Sequence, residues 1–140
     1  MLARSALIFA ALCATASVAA ADVQRFAGDG FVITATTAEP PVTGSPLAIV
    51  VDLTPTGGYK VNEEYPISLE LTAPADVTTA KAKLGRGDAK VAASGARFTF
   101  QVTPKSAGDK RVGAKLKFAL CTATTCEPRK HAVELRLTVR

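Results

Sequence analysis

After Phe31 most of this chain alternates apolar and polar residues. That period of two places every second side chain on one face of an extended strand, and no helix shares it. Leu47, Ile49, Val51 and Leu53 alternate with Ala48, Val50 and Asp52, and Ile67, Leu69 and Leu71 with Ser68, Glu70 and Thr72. Ala80, Ala82 and Leu84 alternate with Lys81 and Lys83, and Phe98, Phe100 and Val102 with Arg97, Thr99 and Gln101. The longest runs come last: Val112, Ala114, Leu116, Phe118 and Leu120 against Arg111, Gly113, Lys115 and Lys117, then Val133, Leu135, Leu137 and Val139 against Glu134, Arg136 and Thr138. Turn clusters separate the runs, among them Thr56-Gly57-Gly58, Gly85-Arg86-Gly87-Asp88, Ser94-Gly95 and Pro104-Lys105-Ser106-Ala107-Gly108. No stretch keeps a helical period. The expected fold is all-β: an antiparallel β-sandwich of seven or eight strands, immunoglobulin-like in size.

Upstream of the strands, residues 1–21 read as a cleaved secretory signal peptide, with one positive charge at Arg4, an apolar run from Ala6 to Ala14 and small residues up to Ala21. The run is shorter than the roughly 20 residues of a spanning helix, so no membrane span is expected. Leu12 precedes Cys13 where a lipoprotein signal has a small residue, which argues against lipid attachment. Residues 22–140 are expected to form a single domain long enough to bury a core. The Pro-rich stretch at residues 39–46 reads as an exposed crossing after the first strand.

Charge is unevenly distributed. Residues 22–80 hold two basic side chains (Arg25, Lys60) against eight acidic ones, and residues 81–140 hold fourteen basic against four acidic. Two readings follow: acidic and basic strands neutralise each other within one sandwich, or a basic face meets an acidic partner or a membrane surface. Few aromatics and no Trp argue against base-stacking or sugar-stacking surfaces, and nucleic acid is not an expected partner.

Removing the signal leaves Cys121 and Cys126 as an even pair bound for an oxidising space. If they oppose each other across a hairpin, paired residues sum to 247. Leu116 then meets His131, Ala114 meets Val133 and Val112 meets Leu135 on one face, while Lys117 meets Lys130 and Arg111 meets Arg136 on the other. The apolar sets of both strands coincide, and a one-residue slip would separate them. Opposed residues stand about 4.5–5.5 Å apart, within reach of a disulfide. Pro128 with Arg129 and Lys130 marks the place where a bulge would shift this register. A loop this short gains only about 2 kcal/mol from closure, and parity puts Cys121 on the face of Arg111, Lys115 and Lys117, where cations favour a thiolate. Staple and exchangeable bond both remain open on the residues alone.

Other chemistry is thinly supported. Two cysteines and the single His131 fall short of a closed zinc site, and copper ligands are lacking, so no cofactor or metal is expected. Glu63 and Glu64 are adjacent and would point to opposite sides of a strand, which excludes a carboxylate dyad. Arg86-Gly87-Asp88 matches an adhesion tripeptide, but its glycines already explain a turn. No nucleophile elbow or phosphate loop is present, so any enzymatic activity, of the thiol:disulfide oxidoreductase type, rests on the thiols.

Residues 56–62 (Thr-Gly-Gly-Tyr-Lys-Val-Asn), the following Glu63-Glu64-Tyr65-Pro66-Ile67-Ser68-Leu69-Glu70-Leu71, and Lys117-Phe118-Ala119-Leu120-Cys121-Thr122-Ala123-Thr124-Thr125-Cys126-Glu127-Pro128 together resemble the N-terminal periplasmic domain of DsbD-type thiol:disulfide interchange proteins. The likeness covers roughly residues 47 to 139. Leu120, Glu127 and the Thr-rich loop depart from the family pattern. The resemblance implies an immunoglobulin-like sandwich in which Cys121 and Cys126 are the redox pair, Tyr59 lies near it, and Phe118 fills the family's aromatic position. It further implies periplasmic or secreted localisation in a bacterium, no cofactor, and partners that are periplasmic redox proteins or a membrane reductase. A monomer is the expected state, and Cys126, just past the turn, is the expected attacking sulfur. The alternative is a non-catalytic cell-envelope binding or structural module with a hairpin disulfide and a basic contact face.

Overall fold

The computed structural model describes residues 22–140; residues 1–21, where a signal peptide is expected, and with them Cys13, lie outside the described residues. Eleven strands form two antiparallel sheets. They are β1 (Asp22–Gly28), β2 (Phe31–Thr37), β3 (Leu47–Pro55), β4 (Lys60–Val61), β5 (Ser68–Thr72), β6 (Val77–Thr79), β7 (Lys83–Leu84), β8 (Ala89–Ala92), β9 (Gly95–Pro104), β10 (Gly108–Cys121) and β11 (Cys126–Val139). One sheet runs β1-β2-β3-β9-β6, with β8 also on β9; the other runs β11-β10-β5-β7, with β4 also on β10. This is an immunoglobulin-like β-sandwich, all-β as the alternation requires. No helix of the described residues is long and apolar enough to cross a membrane.

The core lies where the apolar sets of the two sheets meet. Ile33, Val51 and Phe98 from one sheet and Leu69, Leu116 and Leu135 from the other are almost fully buried. At about 1.5–3 kcal/mol for each large side chain taken out of water, these alternating residues supply the main force holding the sheets together. Every expected pairing of the last two strands is present: Val112 faces Leu135, Ala114 faces Val133, Leu116 faces His131, and the register runs to Cys121 opposite Cys126 with no bulge at Pro128.

Three local differences have physical causes. The chain leaves the first sheet at Thr79 and joins the second at Lys83, so residues 80–82 bridge the sheets and Ala80 and Ala82 are exposed. Alternating alanines bury too little area to hold a strand by themselves. The Pro-rich loop is exposed, but it joins neighbouring strands of one sheet, β2 and β3, and it does not cross between sheets. It ties down two strand ends: Thr43 N donates to Arg140 O (2.8 Å), Arg140 N to Pro41 O (3.1 Å) and Gly44 N to Pro104 O (2.7 Å). The Arg86–Asp88 segment is a 3-10 turn in which Asp88 accepts from Gly85 N at 2.9 Å and from Lys81 Nζ at 2.7 Å, so its carboxylate is already engaged.

Two side chains join the layers at their margins. Gln24 of β1 donates from Nε2 to Arg136 O and accepts at Oε1 from Arg136 N, both at 2.8 Å, which satisfies the outer edge of β11 at that residue. Lys110, largely buried, donates to the Asp76 carboxylate, which also accepts from Ser106 Oγ at 2.8 Å.

The Lys110 and Ser106 hydrogen bonds hold the Asp76 carboxyl below the usual carboxylate range. Its folded pKa is depressed, so the stability it contributes is complete above the unfolded value of about 3.9 and is lost as pH falls through the lower folded value. Asp76→Asn is expected to melt below the wild type at neutral pH, with the gap closing on acidification below about pH 4. Thermal melts across that range check this; a gap that persists unchanged into acid would assign the effect to shape.

Candidate functional site: the hairpin disulfide

Cys121 and Cys126 are disulfide-bonded, with Cα atoms 4.0 Å apart. The loop between them explains how a short link closes. Thr122 N donates to Thr125 O at 2.7 Å, so the cysteines fall at the next, non-hydrogen-bonded pair, where antiparallel strands approach most closely. No non-glycine residue among those described has a positive φ, so this turn does without the left-handed residues of the commonest tight hairpins. The threonines compensate: Thr122 Oγ1 accepts from Thr125 N at 3.2 Å and lies 3.1 Å from Thr125 Oγ1. Side-chain hydroxyls here stand in for turn backbone bonds.

Exposure divides the pair. Cys121 is half-buried and Cys126 is exposed. Strand β4 lies along the other side of β10 and places Lys60 directly opposite Cys121. Lys60, Cys121 and Cys126 therefore form one row across three strands, on the outer face of the sheet.

Tyr59 and Phe118 are brought to this end of the sandwich, but on the other side of the sheet. Phe118 is fully buried and meets Phe31 edge-on at 5.0 Å. His131 meets the same Phe31 ring edge-on at 5.1 Å, so His131 serves an aromatic contact and is half-buried as its register position implies. Tyr59 packs over Gly30, whose φ of +81° suits glycine and where an added Cβ would lie 2.6 Å from the ring. Above Tyr59 sits the Arg129 guanidinium, 5.7 Å from the ring centroid. Arg129 also donates to Asp29 O at 2.7 Å and to Glu127 Oε2 at 3.0 Å. Tyr59, Phe118 and Arg129 support the hairpin from beneath and tie it to the β1–β2 turn, while the sulfur atoms face outward.

Sequence reasoning did not single out Lys60 or Arg129. A two-residue strand such as Lys60–Val61 has no periodicity to read, and the role of Arg129 depends on a turn distant in sequence. Glu63 and Glu64 are exposed in the loop after β4. Among the described residues no three His, Cys, Asp or Glu side chains group to hold a metal ion.

No family model matches this chain, and no curated protein matches it. Among solved structures, the GAE domain of GGA2p from Saccharomyces cerevisiae is similar with a TM-score of 0.51 and 10% identity, over 81% of this chain and 97% of that chain. The GAE domain of yeast GGA1 gives a TM-score of 0.51 and 12% identity, over 82% and 97%. At such identities the likeness concerns the fold alone, a β-sandwich.

Replacing both cysteines, Cys121→Ala with Cys126→Ala, is expected to leave the fold intact and lower unfolding stability by about 2 kcal/mol, the closure entropy of a short loop. Urea unfolding measures the difference. A loss of more than about 4 kcal/mol, or failure to fold, would make the bond a principal stabiliser.

Proposed function

We propose that this chain is an exported thiol:disulfide interchange domain, acting in a bacterial periplasm or outside the cell on protein partners through Cys121 and Cys126. The observation that carries this reading is the position of the bond. It lies at the turn end of a hairpin that thirteen further residue pairs already hold in register, with its Cys126 sulfur on an exposed residue. Breaking such a bond removes no core contact. A staple placed for stability would join distant segments, where closure gains more.

In the forward direction the reduced pair attacks a partner disulfide. The Cys126 thiolate bonds to one partner sulfur, and the other partner sulfur leaves as a thiolate that takes up a proton. The Cys121 thiolate then attacks Cys126 Sγ, closing the Cys121–Cys126 bond and releasing the second partner thiol. Two electrons pass to the partner. A dithiol reductase, periplasmic or membrane-borne, restores the reduced pair by the same exchange in reverse. Positive charge at Lys60, opposite Cys121, stabilises anionic sulfur during attack and departure. Tyr59 and Phe118 act as supports that fix the hairpin while its bond opens and closes. The resemblance of residues 117–128 to the DsbD N-terminal domain supports the same reading.

The test is the reduction potential of the pair, obtained by equilibrating residues 22–140 in glutathione buffers and counting alkylated thiols by mass. A value above about −250 mV is expected of an exchangeable bond; one below about −300 mV would identify a structural staple and end this reading.

A further inference from the structure

The outer face of the β11-β10-β5-β7 sheet is rich in lysine toward the disulfide; of its acids, Glu70 stands opposite Lys115 and Glu134 opposite Gly113. Register places Lys117 opposite Lys130, and Lys115 on the same face two residues further along. With Lys60 beside Cys121, four lysines share the face with the sulfur atoms. Among the described residues none of the four makes an ion pair, whereas Glu70 is joined to Lys83 at 3.6 Å and Glu134 to Arg111 at 3.4 Å. The row between the cysteines and the Lys117–Lys130 pair holds Ala119 and Pro128. Three residues of strand separate Lys117 from Cys121 and Lys130 from Cys126, a span of about 13 Å, and the one acid between them, Glu127, has the inward parity and is held by Arg129.

Like charges directly opposed across strands oppose folding, so Lys117 and Lys130 do nothing for the sandwich. A partner segment joined to Cys126 and running back along the hairpin lies on this face. We propose that this face is a docking surface for a protein segment whose reacting cysteine is flanked by Asp or Glu side chains; this rests on the exchange reading above. An anionic membrane fits less well. The large apolar side chains that are exposed, Val23 and Val42, lie in β1 and the Pro-rich loop, so this face has nothing to insert between lipids.

The experiment uses residues 22–140 and three disulfide substrates: two peptides of equal length, one with acidic and one with lysine flanks, and the small neutral hydroxyethyl disulfide. The reduced wild type is expected to react with the acidic peptide at least about tenfold faster than with the basic one, a ratio that falls toward one at high salt. Lys117→Glu with Lys130→Glu should abolish or invert the preference once each peptide rate is divided by that variant's own rate with hydroxyethyl disulfide, which corrects for any change in thiolate reactivity and reports an intact fold. Lys90→Glu, on the other sheet, should retain the preference. Equal peptide rates in the wild type, or a preference surviving the double substitution, would overturn the docking surface. No reaction with hydroxyethyl disulfide would instead overturn the exchange reading. In that event, salt-dependent binding of a cysteine-free acidic peptide by wild type and not by the double variant upholds an acidic-segment surface, and its absence overturns it. Binding to phosphatidylglycerol vesicles that outcompetes the acidic peptide would reassign the face to lipid.

Discussion

The pairing of β10 with β11 is the constraint on which the rest of this structure depends. Fourteen residue pairs in one unbroken register decide at once which side chains enter the core and which stay outside. Even-numbered residues of β10 and odd-numbered residues of β11 supply Val112, Leu116, Phe118, Leu135 and Leu137 to the interior. The same parity sends Lys115, Lys117, Lys130 and both cysteines outward. A one-residue slip would exchange the sets, burying ammonium groups that have no partners and separating the sulfur atoms. Charge, disulfide and core are thus consequences of one alignment.

The buried core and the disulfide are separated along the hairpin. Burial is complete around Leu116, Phe118 and Leu120 and declines sharply at Cys121 and beyond. The tip is held by other means: threonine hydroxyls close the turn, and Arg129 reaches down to Asp29 O and the Tyr59 ring. None of these contacts involves a sulfur atom. A bond in the centre of the sandwich would tie its redox state to global unfolding; one at a separately anchored tip does not.

The legible parts of the fold were those in which a side chain reports its burial strongly. Leu, Ile, Val and Phe at period two located the long strands, and the spacing of Cys121 and Cys126 supplied a register that hydrophobicity alone could check. The illegible parts lacked such reporters. Strand β1 is mostly exposed, so it carries little alternation and was not anticipated; it is held by pairing to β2 and by the Gln24 amide. Strands β4 and β7 have two residues each, too few for a period. Ala80 and Ala82 imitate a strand pattern because alanine is compatible with either environment. At the site, the two cysteines and their outward face were readable from parity. The position of Phe118 beneath the sheet followed from the same parity; that of Tyr59 did not, because a motif gives proximity in sequence and leaves the face undetermined.

The uneven charge of the chain resolves into two populations. Glu70 with Lys83, Asp52 with Arg97 and Asp76 with Lys110 join the acidic early half to the basic later half, as neutralisation within one sandwich requires. Exposed pairs of this kind contribute at most about 1 kcal/mol each. If neutralisation were the whole explanation, the remaining lysines would be scattered at random over the surface. Instead Lys60, Lys117 and Lys130 occupy one face by register, two of them directly opposed, and that face carries the disulfide, while Lys115 on the same face stands opposite Glu70. Folding would be served as well by Thr or Gln at each of these positions. The concentration of unpaired lysines on the face of the disulfide is therefore not explained by what holds the domain together.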